Sequence, residues 1–144
     1  MNNFERLWRT GLRVCEPLIQ LVRPTFMADW YQAPMQTVEA IAGGFEFGLA
    51  VSKRFRFRAG QHVALQFLVN GRFVERMLTI CSSPQELASF GIVRFAMRQK
   101  PNGVLSTFLQ NATAGSMVWL RQAQGYFQYQ PQRPAFFLAA GSGI

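Results

Sequence analysis

The sequence is poor in the residues that metal and acid–base chemistry require. It holds one histidine, His62, and two cysteines, Cys15 and Cys81, far apart and without a C-x-x-C pair. No zinc or iron–sulfur site can be built from such a set, and no Ser/His/Asp arrangement has its parts, so no metal ligand is expected in this chain. The plain reading of His62 is a strand residue or a local hydrogen-bond donor. Acidic residues are also scarce: seven Asp and Glu stand against fifteen Lys and Arg, a formal charge of +8. Long apolar runs are missing, so no segment is expected to span a bilayer. The N-terminal apolar residues are punctuated by Arg6, Arg9 and Arg13, which excludes the uninterrupted core of a signal peptide. A reducing, cytoplasmic setting is the default expectation.

Apolar and aromatic material is plentiful. Hydrophobic residues make up 49% of 144 residues and include 14 Phe, enough for a packed core and against disorder. The charge is unevenly spread. Residues 1–36 carry a net +1 and residues 37–144 a net +7, so the main body is the basic part. A surplus of that kind suits phosphorylated ligands, an acidic protein, nucleic acid or an anionic membrane surface.

Phe4, Leu7, Trp8, Leu12, Cys15, Ile19 and Val22 recur at three- and four-residue spacing, which predicts a helix over residues 3–22, kinked or split at Pro17. Such a stripe packs against the following domain or lies on a membrane surface or partner. Ala28 to Gln36 reads as a connecting segment. From Thr37 the pattern alternates. Short strands are expected at Val38–Ile41, over Phe45–Arg58, at His62–Val69 and Arg72–Ile80 around an Asn70-Gly71 hairpin turn, and at Ile92–Arg98. Gly115–Arg121 and Tyr126–Gln130 read as further strands, and Val104–Gln110 as a short helix. Phe55 and Phe57 alternate with Arg54, Arg56 and Arg58, whose plain reading is a solvated face and whose sharper one is a docking surface for an acidic protein. The pattern predicts a mainly β fold, a six-stranded antiparallel Greek-key barrel with one short helix, preceded by an N-terminal helix. Phe136 to Ala140 differs: a continuous apolar run, as in a parallel strand buried on both faces, ending in Gly141-Ser142-Gly143.

Three features carry chemistry. Arg76, Thr79 and Ser82 stand three apart at the end of a hairpin strand, where a guanidinium can grip a phosphate with two parallel bonds. Gly103-Val104-Leu105-Ser106 opens a helix whose free N–H groups favour an anion. Gly141-Ser142-Gly143 follows a buried strand, the usual prelude to a phosphate-binding helix.

In that order and spacing the chain resembles the ferredoxin–NADP reductase superfamily, and within it the flavin-binding barrel. That family is marked by a "GQ" turn, then R-x-Y-(S/T)-x-x-S, G-x-x-S, G-x-F and a G-(T/S)-G-I loop. The counterparts here are Gly60-Gln61, Arg76 to Ser82, Gly103 to Ser106, Gly125-Tyr126-Phe127 and Gly141 to Ile144. The region before the barrel, with Trp30, Tyr31 and Pro34, is similar to reductases that carry a 2Fe-2S domain and serve fatty-acid desaturases. The resemblance implies residues 1–36 as a helical extension and linker, 37–134 as the flavin barrel, and 135–144 as the start of a nicotinamide-binding domain. The expectation is therefore a fragment of a longer reductase, the alternative being a barrel that binds flavin without using NAD(P)H itself.

The resemblance also implies roles. Arg76 would pair with a flavin phosphate, with Met77 and Leu78 alongside, and Thr79 would bond the flavin ring near its redox-active edge. Ala96, Met97 and Arg98 would run along the cofactor. Gly103, Val104, Leu105 and Ser106 would hold its pyrophosphate. Ser142, between Gly141 and Gly143, would face the nicotinamide, so that Thr79 and Ser142 are the candidate catalytic residues. FAD is the implied cofactor, with FMN the alternative; NAD(P)H is the implied co-substrate. A ferredoxin-like or iron–sulfur centre is the implied acceptor, with 2Fe-2S expected only in a further domain or a partner. A membrane-bound desaturase, or a membrane surface met through residues 3–22, is the further partner, which would place the protein at the inner membrane periphery. One position departs from the family: Leu78 stands where a tyrosine usually stacks on the flavin. The loss of that stack, about 0.5–1.5 kcal/mol, is smaller than the charge-assisted phosphate bonds, about 1.5–3 kcal/mol each, so weakened rather than abolished flavin binding is expected.

Two other classes compete. A basic barrel could bind single-stranded nucleic acid by stacking bases on Phe and Tyr, but Phe55, Phe57, Phe67 and Phe95 fall at alternating core positions, so nucleic acid is not expected. A membrane-recruited interaction module is the other.

Overall fold

The structure, a computed structural model, describes residues 29–130, 132–136 and 138. The helix expected over residues 3–22 and the Gly141-Ser142-Gly143 loop lie outside the described residues. Six strands and two helices follow in the order β1 (Tyr31–Ile41), β2 (Gly44–Ala50), β3 (His62–Val69), β4 (Arg72–Thr79), α1 (Pro84–Phe90), β5 (Ile92–Arg98), α2 (Val104–Asn111) and β6 (Met117–Leu120). All pairings are antiparallel, and the sheet order is β4-β3-β6-β1-β2-β5. The mainly β, six-stranded antiparallel architecture is the one expected. The sheet is curled rather than closed by a full ladder: its two edges, β4 and β5, meet through one bridge, Ile80 opposite Phe95.

Curling starts in β1. Its register on β2 shifts between Met35 and Thr37, a bulge that bends the strand. Tyr31–Pro34 pair with β6, and Met35 onward with β2, so one strand serves both halves of the sheet. β1 begins at Tyr31, inside the stretch read as a connecting segment, and Pro34 is the reason for the difference. The Met35 N–H donates to Ser116 O and the Met35 carbonyl accepts from Gly115 N–H, both at 2.8 Å, so Met35 faces β6. Backbone groups alternate sides along a strand. The missing N–H of Pro34 therefore points the other way, where pairing with β2 has not begun, and the proline breaks no ladder bond.

Between β3 and β4 the hairpin is the expected one. Asn70 and Gly71 have φ of 50° and 73°, the pair of positive values that a tight two-residue hairpin needs. The core lies inside the curl. Phe47 stacks on Phe95 with centroids 5.4 Å apart and meets Phe67 edge-on at 6.1 Å. α2 plugs it with buried Leu105 and Leu109 and sets Phe108 against Phe67 at 5.4 Å. Phe55, Phe57, Phe67 and Phe95 are all buried, which removes these four rings as stacking platforms in the nucleic-acid reading.

Several sequence expectations change. Among the described residues there are two helices where one short helix is expected: no element is expected over Pro84–Phe90, yet Ser83 and Glu86 form a reciprocal capping box and Gly91 ends the helix in the left-handed region. β2 stops at Ala50, and the chain to Gln61 is irregular, with a turn in which Phe55 N–H reaches Ser52 O at 2.8 Å. Tyr126–Gln130 is not a strand. Pairing there ends with one bridge, Gln124 to His62, and Gly125 at φ 111° turns the chain away. The described part of the late apolar run, Phe136 and Leu138, lies in no strand and is 98% exposed, because no described strand receives it. No helix among the described residues is long and apolar enough to cross a membrane.

Candidate functional site

The two sheet edges define the site. Beyond the Ile80–Phe95 bridge the ladder does not continue, so Arg76–Thr79 on one side and Ala96–Arg98 on the other present strand edges with no strand between them. Unpaired edges expose a row of backbone donors and acceptors, which a planar heterocycle can satisfy. Thr79 and Ala96 each adjoin a bridge residue, so the structure brings these two sequence-predicted positions to one place.

Strand alternation distributes the others. Arg76 and Leu78 lie opposite Leu65 and Val63, whose side chains are in the core, so both belong to the core-facing side of β4. Leu78 is half-buried and packs against the core cluster. Met77 and Thr79 lie on the other face, both exposed. Thr79 and Leu78 therefore do not present their side chains to the same side. Arg76 is exposed and spends one N–H on its neighbour, the Glu75 carbonyl oxygen, at 2.6 Å. The rest of its five-donor fork has no partner among the described residues. On β5, Met97 packs against the core, whereas Ala96 and Arg98 are exposed.

From β5 the chain turns through Lys100–Gly103 into α2. Gly103 supplies no side-chain cap, which leaves the first-turn N–H groups of the helix for an anion. A Cβ on Gly103 would stand 3.1 Å from both Lys100 Cβ and Lys100 O, and 3.2 Å from Ser106 Oγ. Ser106 is only 4% exposed, and its hydroxyl accepts from Lys100 N–H at 2.9 Å. It thus fastens the turn that presents the helix N-terminus, a role the spacing alone did not indicate. Val104 is exposed and Leu105 buried.

The Gly60-Gln61 and Gly125-Tyr126-Phe127 motifs brace this edge. Gln61 Nε2 donates to Gly125 O at 3.3 Å, its Oε1 accepts from Arg58 N–H at 2.8 Å, and its carbonyl accepts from Ile80 N–H at 3.1 Å. One glutamine therefore joins three segments beside Thr79. A Cβ on Gly125 would lie 2.9 Å from the His62 ring, so His62 packs locally and is not a ligand in any described cluster.

Ser82 of the motif and three residues that the motifs do not single out, Arg94, Glu46 and Glu86, finish the edge. Ser82 Oγ accepts from Arg94 N–H at 3.0 Å, and Arg94 O accepts from Cys81 N–H at 3.0 Å. The Arg94 guanidinium reaches Glu46 at 2.9 Å and Glu86 at 3.5 Å. The Glu46 hydrogen bond and charge hold it still more firmly protonated. Cys81 is exposed at the surface, but desolvation of its thiol, and then the Glu46 carboxylate, push its pKa above the ordinary value. A raised pKa of that kind leaves less of a thiol as the nucleophilic thiolate. The only local sequence signal for this group was the Ser83-x-x-Glu86 capping spacing.

The donor set suits a flavin dinucleotide: a guanidinium with most of its donors unspent, an uncapped helix start and two unpaired strand edges match phosphates and a planar ring in turn. The family described as oxidoreductase FAD-binding domain matches residues 36–129. An NADPH oxidoreductase of Mycobacterium tuberculosis is 36% identical over 93 residues, 62% of this chain and 24% of that protein. NADH-cytochrome b5 reductase 1 of Scheffersomyces stipitis is 30% identical over 103 residues, 69% of this chain and 35% of its own. The chain thus spans about a quarter to a third of the length of these curated relatives. Among solved structures, a ferredoxin NADP+ reductase from Neisseria gonorrhoeae with bound FAD and NADP superposes with a TM-score of 0.59 at 18% identity, over 68% of this chain and 39% of that one. With its motifs, its curled six-stranded sheet and this match over most of its length, the chain belongs to the oxidoreductase FAD-binding domain family.

Proposed function

We propose that the chain is the flavin-binding part of an NAD(P)H-dependent oxidoreductase that passes electrons from NAD(P)H through FAD to an iron–sulfur centre or ferredoxin-like protein. The observation that carries this reading is the interrupted pairing between β4 and β5, which leaves the edges at Arg76–Thr79 and Ala96–Arg98 facing each other across one bridge. When bound, FAD supplies the conversion between a two-electron nicotinamide donor and a one-electron acceptor. The chain's own residues bind and orient. Arg76 grips a phosphate through its unspent N–H groups, and Gly103–Ser106 present the α2 N-terminus to the pyrophosphate. Ala96, Met97 and Arg98 offer backbone groups to the cofactor, and Thr79 holds the ring edge. Met77 and Leu78 flank it. Ser142, between Gly141 and Gly143, is the residue this reading assigns to the nicotinamide.

Residues 37–134 form the flavin unit in this reading, residues 135–144 begin a nicotinamide-binding unit, and residues 1–36 are the extension. Lys53, Arg54, Arg56 and Arg58 support an acidic acceptor. All four are exposed on a loop anchored by buried Phe55 and Phe57, and none forms an ion pair among the described residues. A membrane-bound desaturase as final acceptor, with residues 3–22 at the membrane surface, is the narrower form of the proposal.

Purification with added FAD tests it. A yellow protein with quenched flavin fluorescence, whose binding weakens in Arg76→Ala, is expected. A colourless protein under saturating FAD would overturn the reading.

A further inference from the structure

We propose that Arg94, held between Glu46 and Glu86, is a positioning residue that fixes the width of the flavin gap by locking the single bridge between β4 and β5. The inference rests on the flavin reading of that gap and adds a residue that no family motif singles out. Arg94 engages the β4 exit with both backbone groups. Its carbonyl accepts from Cys81 N–H and its N–H donates to Ser82 Oγ, each at 3.0 Å. These two bonds lie on one side of the one bridge that joins β4 to β5 among the described residues, Ile80 opposite Phe95, and the candidate ring contacts Thr79 and Ala96 lie one residue from it on the other side. A rotation of the Arg94 backbone therefore moves both sides of the gap.

Its side chain prevents that rotation. Nη1 lies 2.9 Å from Glu46 Oε1, on the β2 residue directly opposite Ala96. Nε lies 3.5 Å from Glu86 Oε1, while the other oxygen of Glu86 accepts from Ser83 N–H at 3.0 Å. Glu86 thus ties Arg94 to the start of α1, the segment that carries the chain away from Ser82. Opposite Arg94 stands Gly48, where a Cβ would lie 2.8 Å from Thr37 Oγ1 and 3.0 Å from Ile92 Cγ2. The sheet leaves no room there for a side chain beside the arginine stem.

Exposure decides what this network does. The three side chains remain between 35% and 41% accessible. Ion pairs at that exposure add little to global stability. What three charges on β2, β5 and α1 supply is a fixed geometry, the requirement of a site that must match a rigid ring.

The test compares full-length wild type with Arg94→Gln, Arg94→Lys and Arg76→Ala, by FAD titration, urea unfolding and amide exchange. In Arg94→Gln, FAD affinity falls about tenfold, the bound flavin's visible band changes shape, and the Cys81 amide exchanges faster, while the urea midpoint holds. Arg94→Lys, which keeps the charge toward Glu46, recovers most of the affinity. Wild-type FAD affinity in Arg94→Gln, or a loss matched by a fall in the urea midpoint, overturns the proposal. Arg76→Ala separates the two layers: if it weakens FAD and Arg94→Gln does not, the positioning role fails alone. If Arg76→Ala leaves FAD binding untouched, or wild type binds no FAD, the flavin reading fails and the positioning role with it.

Discussion

Gly60 runs so close to Phe127 that a Cβ on the glycine would stand 1.7 Å from the phenylalanine carbonyl oxygen. Its φ of +91° is also closed to ordinary side chains. Gly60→Ala is therefore expected to combine backbone strain with overpacking, and to destabilise by about 2–4 kcal/mol. Gly43 is the control, with φ +75° and nothing within 4 Å of its would-be Cβ. Gly43→Ala should cost only the left-handed strain, about 1–2 kcal/mol. Urea unfolding of the pair checks this: equal losses would mean that the Gly60–Phe127 contact is not tight in solution.

Leu78 offers the second prediction. It is half-buried against the core on the same side of β4 as Arg76. Leu78→Tyr should add an aromatic face beside the flavin and tighten FAD binding by about 0.5–1.5 kcal/mol. A fluorescence titration measures it. Unchanged or weaker binding would place the ring elsewhere.

The elements that were legible in the sequence were those whose signals are local. Asn70-Gly71 announces its own hairpin because only certain residues take two successive positive φ values. The Phe residues at alternating positions announced a core, since Phe55, Phe57, Phe67 and Phe95 are all buried in it. What stayed hidden depends on distant partners. Pro34 looked like a breaker until the side on which β1 is unpaired was known. Tyr126–Gln130 alternates like a strand, yet among the described residues it forms no ladder with another strand, and Tyr126 is 99% exposed. α1 buries no residue, so it carries no stripe, and only its capping box marks it. Arg94 and Glu46 meet across β2 and β5, a proximity that only the register shows. In the site, the motif residues could be named from spacing, but their division between phosphate grip, ring edge and internal brace could not. Ser82 and Ser106 both turn their hydroxyls to backbone N–H groups.

Cys81 yields a prediction in pH. Desolvation and the Glu46 carboxylate raise its pKa in the folded protein. The folded state then holds the thiol proton more tightly than the unfolded state. The resulting stability is fully present below the unfolded thiol pKa and is lost as pH rises through the higher folded value. Alkylation of native Cys81 should lag that of the urea-unfolded protein at mildly alkaline pH, and Glu46→Gln should speed it. A native rate equal to the unfolded rate would show that the thiol does not feel this environment.

The cationic loop supports the last prediction. Arg56 donates to the carbonyls of Lys53 and Phe55, Arg54 N–H reaches Ser52 Oγ at 3.3 Å, and Arg58 N–H is held by Gln61. Gln61 in turn accepts from Ile80, the residue after Thr79, so the charges sit on a fastened loop joined to the candidate site. Fixed charge of one sign raises association rates with an oppositely charged partner, and the gain falls steeply with salt. In a FAD-loaded full-length reductase, Lys53→Glu with Arg54→Glu should slow reduction of an acidic 2Fe-2S ferredoxin by about tenfold at low ionic strength. The difference should shrink toward zero at high salt, because the mutations act on encounter and not on the flavin. Neither residue touches the β4 edge, so reduction of a small neutral acceptor should be unchanged. An equal slowing with the neutral acceptor would mean that the substitutions disturb the site itself, and an unchanged, salt-insensitive ferredoxin rate would remove the loop from the path of the acceptor.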